Sequence, residues 1–140
     1  MKKIIIDTNF LMIPYQFRVD IFSEFSRICD FNYELFIFEE SINELRNIIE
    51  KQRGIDKKAA KLALKLIRLK NINILKSDGK DVDSLILENL TKDTIIATQD
   101  ILLKKELLKK GASVAILRQK KYLQLLKGSG ALKGYWLKNR

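Results

Sequence analysis

The chain has no histidine, one cysteine and one proline among its 140 residues. Without histidine there is no Ser-His-Asp or Cys-His relay, no imidazole acid or base, and no His-containing metal site. The single thiol, Cys29, can form neither an intrachain disulfide nor a multi-cysteine zinc site. A free thiol fits a reducing compartment, so the expected location is cytoplasmic. Long apolar runs are also missing. Asp7 interrupts Ile4-Ile5-Ile6 too early for a signal-peptide core, and no later run approaches the ~18 residues of a membrane span. No membrane partner is expected. Carboxylates, lysines and hydroxyls are what remain for chemistry.

A chain of 140 residues with 46% apolar content fits one domain. At this size a chain buries ~70% of its unfolded surface and needs no disulfide or metal staple. The formal charge is +10, and it is unevenly placed. Residues 1–103 hold 16 Lys/Arg and 16 Asp/Glu, whereas residues 104–140 hold 11 basic residues against Glu106 alone. Lysines on exposed helices serve solubility, but an excess confined to the last quarter points to a polyanionic partner. Nucleic acid is favoured over a membrane surface, because no strongly amphipathic basic helix carries a large aromatic face.

Short apolar runs at 3–6, 35–38, 72–75, 95–97 and 114–117 read as strands buried on both faces. Segments of helical period lie between them, at 19–29, 42–52, 57–70, 82–90 and 101–109. Strands separated by helices require crossover connections and hence a parallel sheet covered on both faces. The expectation is therefore an α/β fold, a three-layer α/β/α sandwich around a parallel sheet of about five strands. Residues 1–118 form its core, and 119–140 form a basic, aromatic extension of the same domain. Phe10 to Phe17, with the only proline at Pro14, reads as a loop. Gly111 reads as a helix C-cap behind Lys109 and Lys110. The Lys57, Lys61, Lys65 and Arg68 stripe reads as either a solvated face or a phosphate-binding one.

Ligands of open parallel sheets bind outside the carboxyl ends of the strands. Four acids map to that edge: Asp7 after the first strand, Glu44 in the first turn of the helix after the second, Asp83 after the third, and Asp100 after the fourth. Carboxylates gathered at buried strand ends are desolvated and repel one another, and a divalent cation relieves both. Mg²⁺ and Mn²⁺ choose such oxygen donors and leave positions for water and phosphate. Helix capping is the competing explanation for each acid. Ser41-Ile42-Asn43-Glu44 has the S-x-x-E spacing of a capping box, Asp81 suits the cap of the helix carrying Asp83, and Thr98 and Asp100 both stand where a cap is wanted before Ile101. Asp7 is the acid that capping explains least, since an apolar run follows it. Thr8 and Asn9 are turn formers, with Asn9 also suited to orienting a metal-bound water.

Ile4-Ile5-Ile6-Asp7-Thr8-Asn9, Glu44, the Asp83 helix and Ala97-Thr98-Gln99-Asp100 resemble, in order, the four motifs of PIN-domain nucleases. That resemblance implies Mg²⁺- or Mn²⁺-dependent cleavage of RNA by metal-activated water, with Asp7, Glu44, Asp83 and Asp100 as the catalytic, metal-holding quartet. Thr8, Asn9, Asp81 and Thr98 are implied as supporting residues. Met12-Ile13-Pro14, Asp81-Val82-Asp83 and Arg118-Gln119-Lys120-Lys121-Tyr122 are similar to the ribosomal RNA-processing branch of the family. The implied partners are single-stranded regions of a ribosomal RNA precursor and ribosome assembly factors. Ser84 stands where that branch often has a second acid, and the Cys/His zinc ligands of some relatives are absent. Three other readings compete: a toxin-type PIN ribonuclease acting on transfer or messenger RNA, a non-catalytic RNA-binding assembly factor, and a phospho-acceptor receiver domain. The last lacks the acid it needs after strand three, where Leu75-Lys76-Ser77 stands.

Arg118, Lys120, Lys121, Tyr122, Lys133, Tyr135, Trp136, Lys138 and Arg140 are the candidate RNA contacts, because rings beside cations stack on unpaired bases while the charges hold phosphates. The alternative for Tyr122 to Leu126 is a short helix docked on the core, ended by Gly128, with Gly128-Ser129-Gly130 as a hinge.

Overall fold

The computed structural model describes residues 1–129. Its centre is β1 (Lys2–Ile6), flanked in parallel by β2 (Tyr33–Phe38) and β4 (Thr94–Ala97), with Ile4 opposite Leu35 on one side and Ile95 on the other. β3 (Asn73–Leu75) continues the sheet beyond β2, and β5 (Ser113–Arg118) continues it beyond β4. The order is β3-β2-β1-β4-β5-β6, with five parallel strands as the apolar runs predict, although β3 is not buried on both faces as expected, since it ends the sheet and leaves Asn73 and Ile74 exposed. The sixth strand, β6 (Tyr122–Leu126), pairs antiparallel with β5.

Successive strand residues point to opposite faces, and the apolar runs use both. Ile4, Ile6, Ile37, Ile95, Ala97 and Ala115 enter one core, whereas Ile5, Phe38, Ile96, Val114 and Ile116 enter another. Helices α1 (Ile13–Gln16), α2 (Ile21–Ile28), α3 (Glu39–Lys51) and α4 (Ile55–Leu69) cover the first face. Helices α5 (Val82–Glu88) and α6 (Ile101–Lys109) cover the second. This is the three-layer α/β/α sandwich. Among the described residues no helix is long and apolar enough to cross a membrane.

Two segments differ from the sequence expectation. Phe10 to Phe17 is not a loop: Thr8–Met12 forms a 3₁₀ turn that runs into α1, burying Phe10, Leu11, Met12 and Ile13. Pro14 lies in the first turn of α1, where its missing N–H has no helical partner to lose. The Phe10 and Phe25 rings stack at 5.9 Å, which fixes this segment to α2. Residues 122–126 are not a helix. In β6, Leu123 and Leu125 face the first core and Leu126 the second, a two-residue alternation. Gly128 does not act there as an open hinge, since a Cβ on it would meet the Gly111 carbonyl oxygen at 2.1 Å. The Gly111 cap is as expected, at φ 90°, with its own N–H on Leu108 and the Ala112 N–H on Leu107, both at 3.0 Å.

β6 is an edge strand, and α2 closes it. Glu24 accepts the Leu123 N–H at 2.8 Å, while Arg27 donates to the Leu123 carbonyl at 2.7 Å and pairs with Glu24 at 2.9 Å. Both ladder groups of that residue are thereby taken from any other strand. Glu24→Ala removes the acceptor and the Arg27 pair, so unfolding in urea should report a loss of about 1–3 kcal/mol. Unchanged stability would mean that the edge is held by packing alone.

Candidate active site

β1 stays apolar through Ile6 and stops at Asp7, which, against the sequence expectation, does cap a helix: its backbone is extended in the N-cap position of the 3₁₀ turn and its side chain accepts the Thr8 N–H. The Asp7 N–H still donates to the Ala97 carbonyl at 2.9 Å, so the acid is stitched into the sheet. The residue is 6% exposed. One carboxylate oxygen accepts the Thr8 N–H and the other the Thr98 hydroxyl, each at 2.8 Å. Thr98 is fully buried, and its Oγ1 also accepts the Asp100 N–H at 3.0 Å. One hydroxyl thus ties the acid after β1 to the acid after β4.

Glu44 is held by α3, but not as the capping box expected. β2 passes into α3 without a loop, so the helix begins at Glu39 with Phe38 in the N-cap position. Ser41 is therefore inside the first turn and buried, and Glu44 belongs to the second turn. The Thr8 hydroxyl bonds Glu44 Oε1 and lies 2.8 Å from Ser41 Oγ. A hydroxyl carries one proton. With Glu44 ionised, Thr8 donates to it and receives the Ser41 proton in turn.

The other acids divide between capping and the cleft. Asp100 is a true N-cap of α6, accepting the Leu102 and Leu103 N–H groups at 2.9 and 3.1 Å through Oδ1. Asp81 occupies the N-cap position of α5, yet its carboxylate takes the Ser84 hydroxyl at 2.5 Å instead of capping backbone. That bond holds Asp81 below the usual carboxylate range. Glu44 Oε2, Asp100 Oδ2 and both Asp83 oxygens make no hydrogen bond among the described residues.

Electrostatics link the four. Burial is the main cause that pushes the Asp7 carboxyl upward, over the opposing Thr98 and Thr8 bonds, and Glu44 and Asp100 add repulsion. Glu44 is raised by burial first, with Glu40, Asp83 and Asp81 adding to it against the Thr8 bond. Asp83 keeps solvent contact, but the cleft walls displace enough water to raise it, and Asp7 and Asp100 raise it further. Among the described residues no three acidic or cysteine side chains stand as a closed metal-holding group. The carboxylates meet across an open cleft of about 490 Å³, lined by all four together with Thr8, Asn9 and Asp81.

Asn9 is exposed on the cleft rim, and its carbonyl accepts the Gln99 side chain at 3.0 Å. Asn47 and Lys51 also line the cleft and were not among the sequence candidates. Their spacing of three and seven from Glu44 on one helix is the signal that finds them. Arg118, Lys120, Lys121 and Tyr122 lie outside the cleft, at the β5–β6 turn. Lys133, Tyr135, Trp136, Lys138 and Arg140 lie outside the described residues.

Residues 4–120 match the family model described as a PIN like domain. The chain belongs to the PIN-like domain family. It is 31% identical over 130 residues to Ribonuclease VapC4 of Methanocaldococcus jannaschii, covering 89% of this chain and 97% of that protein. The structure of the PIN domain endonuclease Utp24 superposes with a TM-score of 0.73 at 22% identity, over 89% of this chain and 91% of that one. The PIN-like fold is thus seen in sequence and in backbone.

A carboxyl raised by folding binds its proton more tightly in the folded state, so it lowers stability as pH rises from the unfolded value through the folded one. Asp7→Asn removes that charge and keeps the shape, and Thr98 Oγ1 has a lone pair for the new amide. In EDTA the variant should melt higher than wild type near neutral pH, with the difference vanishing toward pH ~3, below the ordinary Asp value. Melts of both proteins across that range check it. A variant less stable at every pH would show that the Asp7 hydrogen bonds outweigh its burial.

Proposed function

We propose that this PIN-like domain is a divalent-cation-dependent endoribonuclease that hydrolyses phosphodiester bonds in single-stranded RNA. The observation that carries the reading is the convergence of four carboxylates, from four separate elements, on one open cleft whose innermost acid is buried. The donor set fits a hard cation, being all oxygen, short of compensating charge and still rich in free lone pairs. Asp7, Asp83 and Asp100, with Glu44 directly or through water, would hold Mg²⁺ or Mn²⁺, which when bound supplies Lewis acidity for water activation and for charge on the phosphorus centre.

The chain's own residues set the geometry for this. Thr98 fixes the face that Asp7 presents and places the Asp100 backbone beside it. Thr8 and Ser41 set the Glu44 rotamer. Lys51 offers the cleft an ammonium that suits a non-bridging phosphate oxygen, and Asn9 an amide at the rim. Asp81, bonded to Ser84, adds to the negative field around Glu44 and Asp83. The cleft is open, which suits an accessible single-stranded backbone.

The substrate proposed is a ribosomal RNA precursor, handled with ribosome assembly factors. Support comes from the Asp81-Val82-Asp83 and Arg118 to Tyr122 motifs and from the basic C-terminal quarter. The residues Lys133, Tyr135, Trp136, Lys138 and Arg140 are proposed to add RNA contacts. A second reading, a toxin-type enzyme cutting transfer or messenger RNA, takes its support from the full-length similarity to Ribonuclease VapC4.

Incubation with ribosomal precursor fragments, transfer RNA and messenger RNA, in Mn²⁺ or EDTA, followed by end mapping, tests both. Discrete cuts in Mn²⁺ alone are expected, and the RNA that yields them decides between the readings. Asp7→Asn should fall below a tenth of wild-type activity, a barrier increase above ~1.4 kcal/mol. Glu44→Gln should lose activity without losing stability. Cleavage undiminished by EDTA, or an Asp7→Asn variant within tenfold of wild type, would contradict the proposal.

A further inference from the structure

Beside the acid cleft, on the same edge of the sheet, lies a second hollow of about 420 Å³. Among the described residues three cations line it, Lys104 from α6 and Arg118 and Lys120 from the β5–β6 turn, and no carboxylate does. None of the three makes an ion pair among the described residues. Among the described residues Arg118 bonds through Nε alone, to Gln124 at 2.6 Å, which steadies the guanidinium and leaves its terminal nitrogens for a ligand. The Lys120 amine stands 5.8 Å from the centre of the Phe17 ring, which holds it over the hollow. Ile101 contributes an apolar shelf, 62% exposed.

The turn that presents these cations is unusual. Gln119 and Lys120 are both left-handed, at φ 51° and 55°, and the Lys121 N–H closes the turn on the Arg118 carbonyl at 2.9 Å. Glycine and asparagine adopt two such residues in succession far more readily. Two long side chains here point to a local need for their chemistry.

The hollow also adjoins the acid cleft through a depression that lies between them. Asn9, Gln52 and Asp100 border both the acid cleft and a neighbouring depression of about 430 Å³, and Gln99 borders both that depression and the basic hollow. A ligand lying along this path meets the acid cleft at one end, passes Asp56 and Asp100, and reaches at the other end three cations without an ion pair among the described residues. A single strand of RNA fits that sequence of charges, because its phosphates repeat along the chain and its unpaired bases need apolar contact.

We propose that the hollow is the subsite for the RNA strand on one side of the scissile phosphate, with Lys104, Arg118 and Lys120 on its backbone phosphates and Ile101 against a base. The proposal rests on the ribonuclease reading of the acid cleft. Its test is the salt dependence of binding of a short unstructured RNA oligonucleotide to the full chain in EDTA, where no cleavage is expected. On single strands each phosphate that a cation neutralises adds about 0.7 to the slope of log affinity against log salt, so Lys104→Gln/Arg118→Gln/Lys120→Gln should reduce that slope by roughly two. Lys61→Gln/Lys65→Gln/Arg68→Gln removes equal charge from the exposed face of α4 and should leave the slope nearly unchanged. Ile101→Ser should weaken binding without changing the slope. If the first triple variant fails to fold, each single substitution should take about 0.7 from the slope.

Equal slope changes in both triple variants, no change in either, or no binding by wild type would overturn the subsite. Cleavage in Mn²⁺ is scored separately. A protein that cuts RNA but shows no slope difference loses the subsite alone. One that shows the difference and never cuts keeps the RNA-binding face and loses the ribonuclease reading.

Discussion

Asp7 is a carboxylate that the fold withholds from water, and the arrangement of the sheet edge follows from it. It ends the central strand, 6% exposed, with donors from Thr8 and Thr98. Those two bonds do not outweigh burial and the fields of Glu44 and Asp100, since the net displacement of its pKa is upward. An ionised group in this position lowers stability. The compensation comes from elsewhere, from the Ile4, Ile5 and Ile6 run and its neighbours in two cores. Native stability is a small difference between large terms, so a buried charge of this kind is a measurable cost to the fold.

Three hydroxyls carry that constraint outward. Thr98 connects Asp7 to the Asp100 backbone, while Thr8 and Ser41 connect the end of β1 to Glu44 on α3. Thr8 lies in the 3₁₀ turn and Ser41 in α3, while Thr98 follows β4 with its N–H on the Ala115 carbonyl at 3.2 Å, so the acids keep their places despite their repulsion. The basic hollow stands apart from them, with Gln99 bridging the two regions through its bond to Asn9.

The strands were legible where they are buried on both faces. Ile4-Ile5-Ile6 and Ile95-Ile96-Ala97 leave no other reading of comparable economy, whereas the order of the strands in the sheet is known only from their pairing. β6 escaped because Tyr-Leu-Gln-Leu-Leu satisfies both a helical and an alternating pattern over five residues, and only its pairing with β5 decides. The 3₁₀ turn and α1 escaped because Pro14 reads as a breaker, although it is harmless in a first turn. Ser41 to Glu44 has capping-box spacing by coincidence of register: α3 starts directly from β2, which no local signal in Phe38-Glu39-Glu40 reveals. The placement of all four acids around one cleft was legible, since each follows a strand on the same sheet edge. The hydroxyl links between them were not, because they join residues as far apart as Asp7 and Thr98.

In the proposed function, the buried Asp7 charge and its neighbours form a deficit that a divalent cation fills. Thermal melts of wild type and Asp7→Asn, with Mn²⁺ titrated against EDTA, test it without reference to any RNA. A cation bound only by the folded state at 100 times its Kd adds about 2.7 kcal/mol to stability. Wild type should therefore melt progressively higher as Mn²⁺ rises, and Asp7→Asn should not. Identical melting of wild type in Mn²⁺ and EDTA, or the same increase in both proteins, would contradict the account.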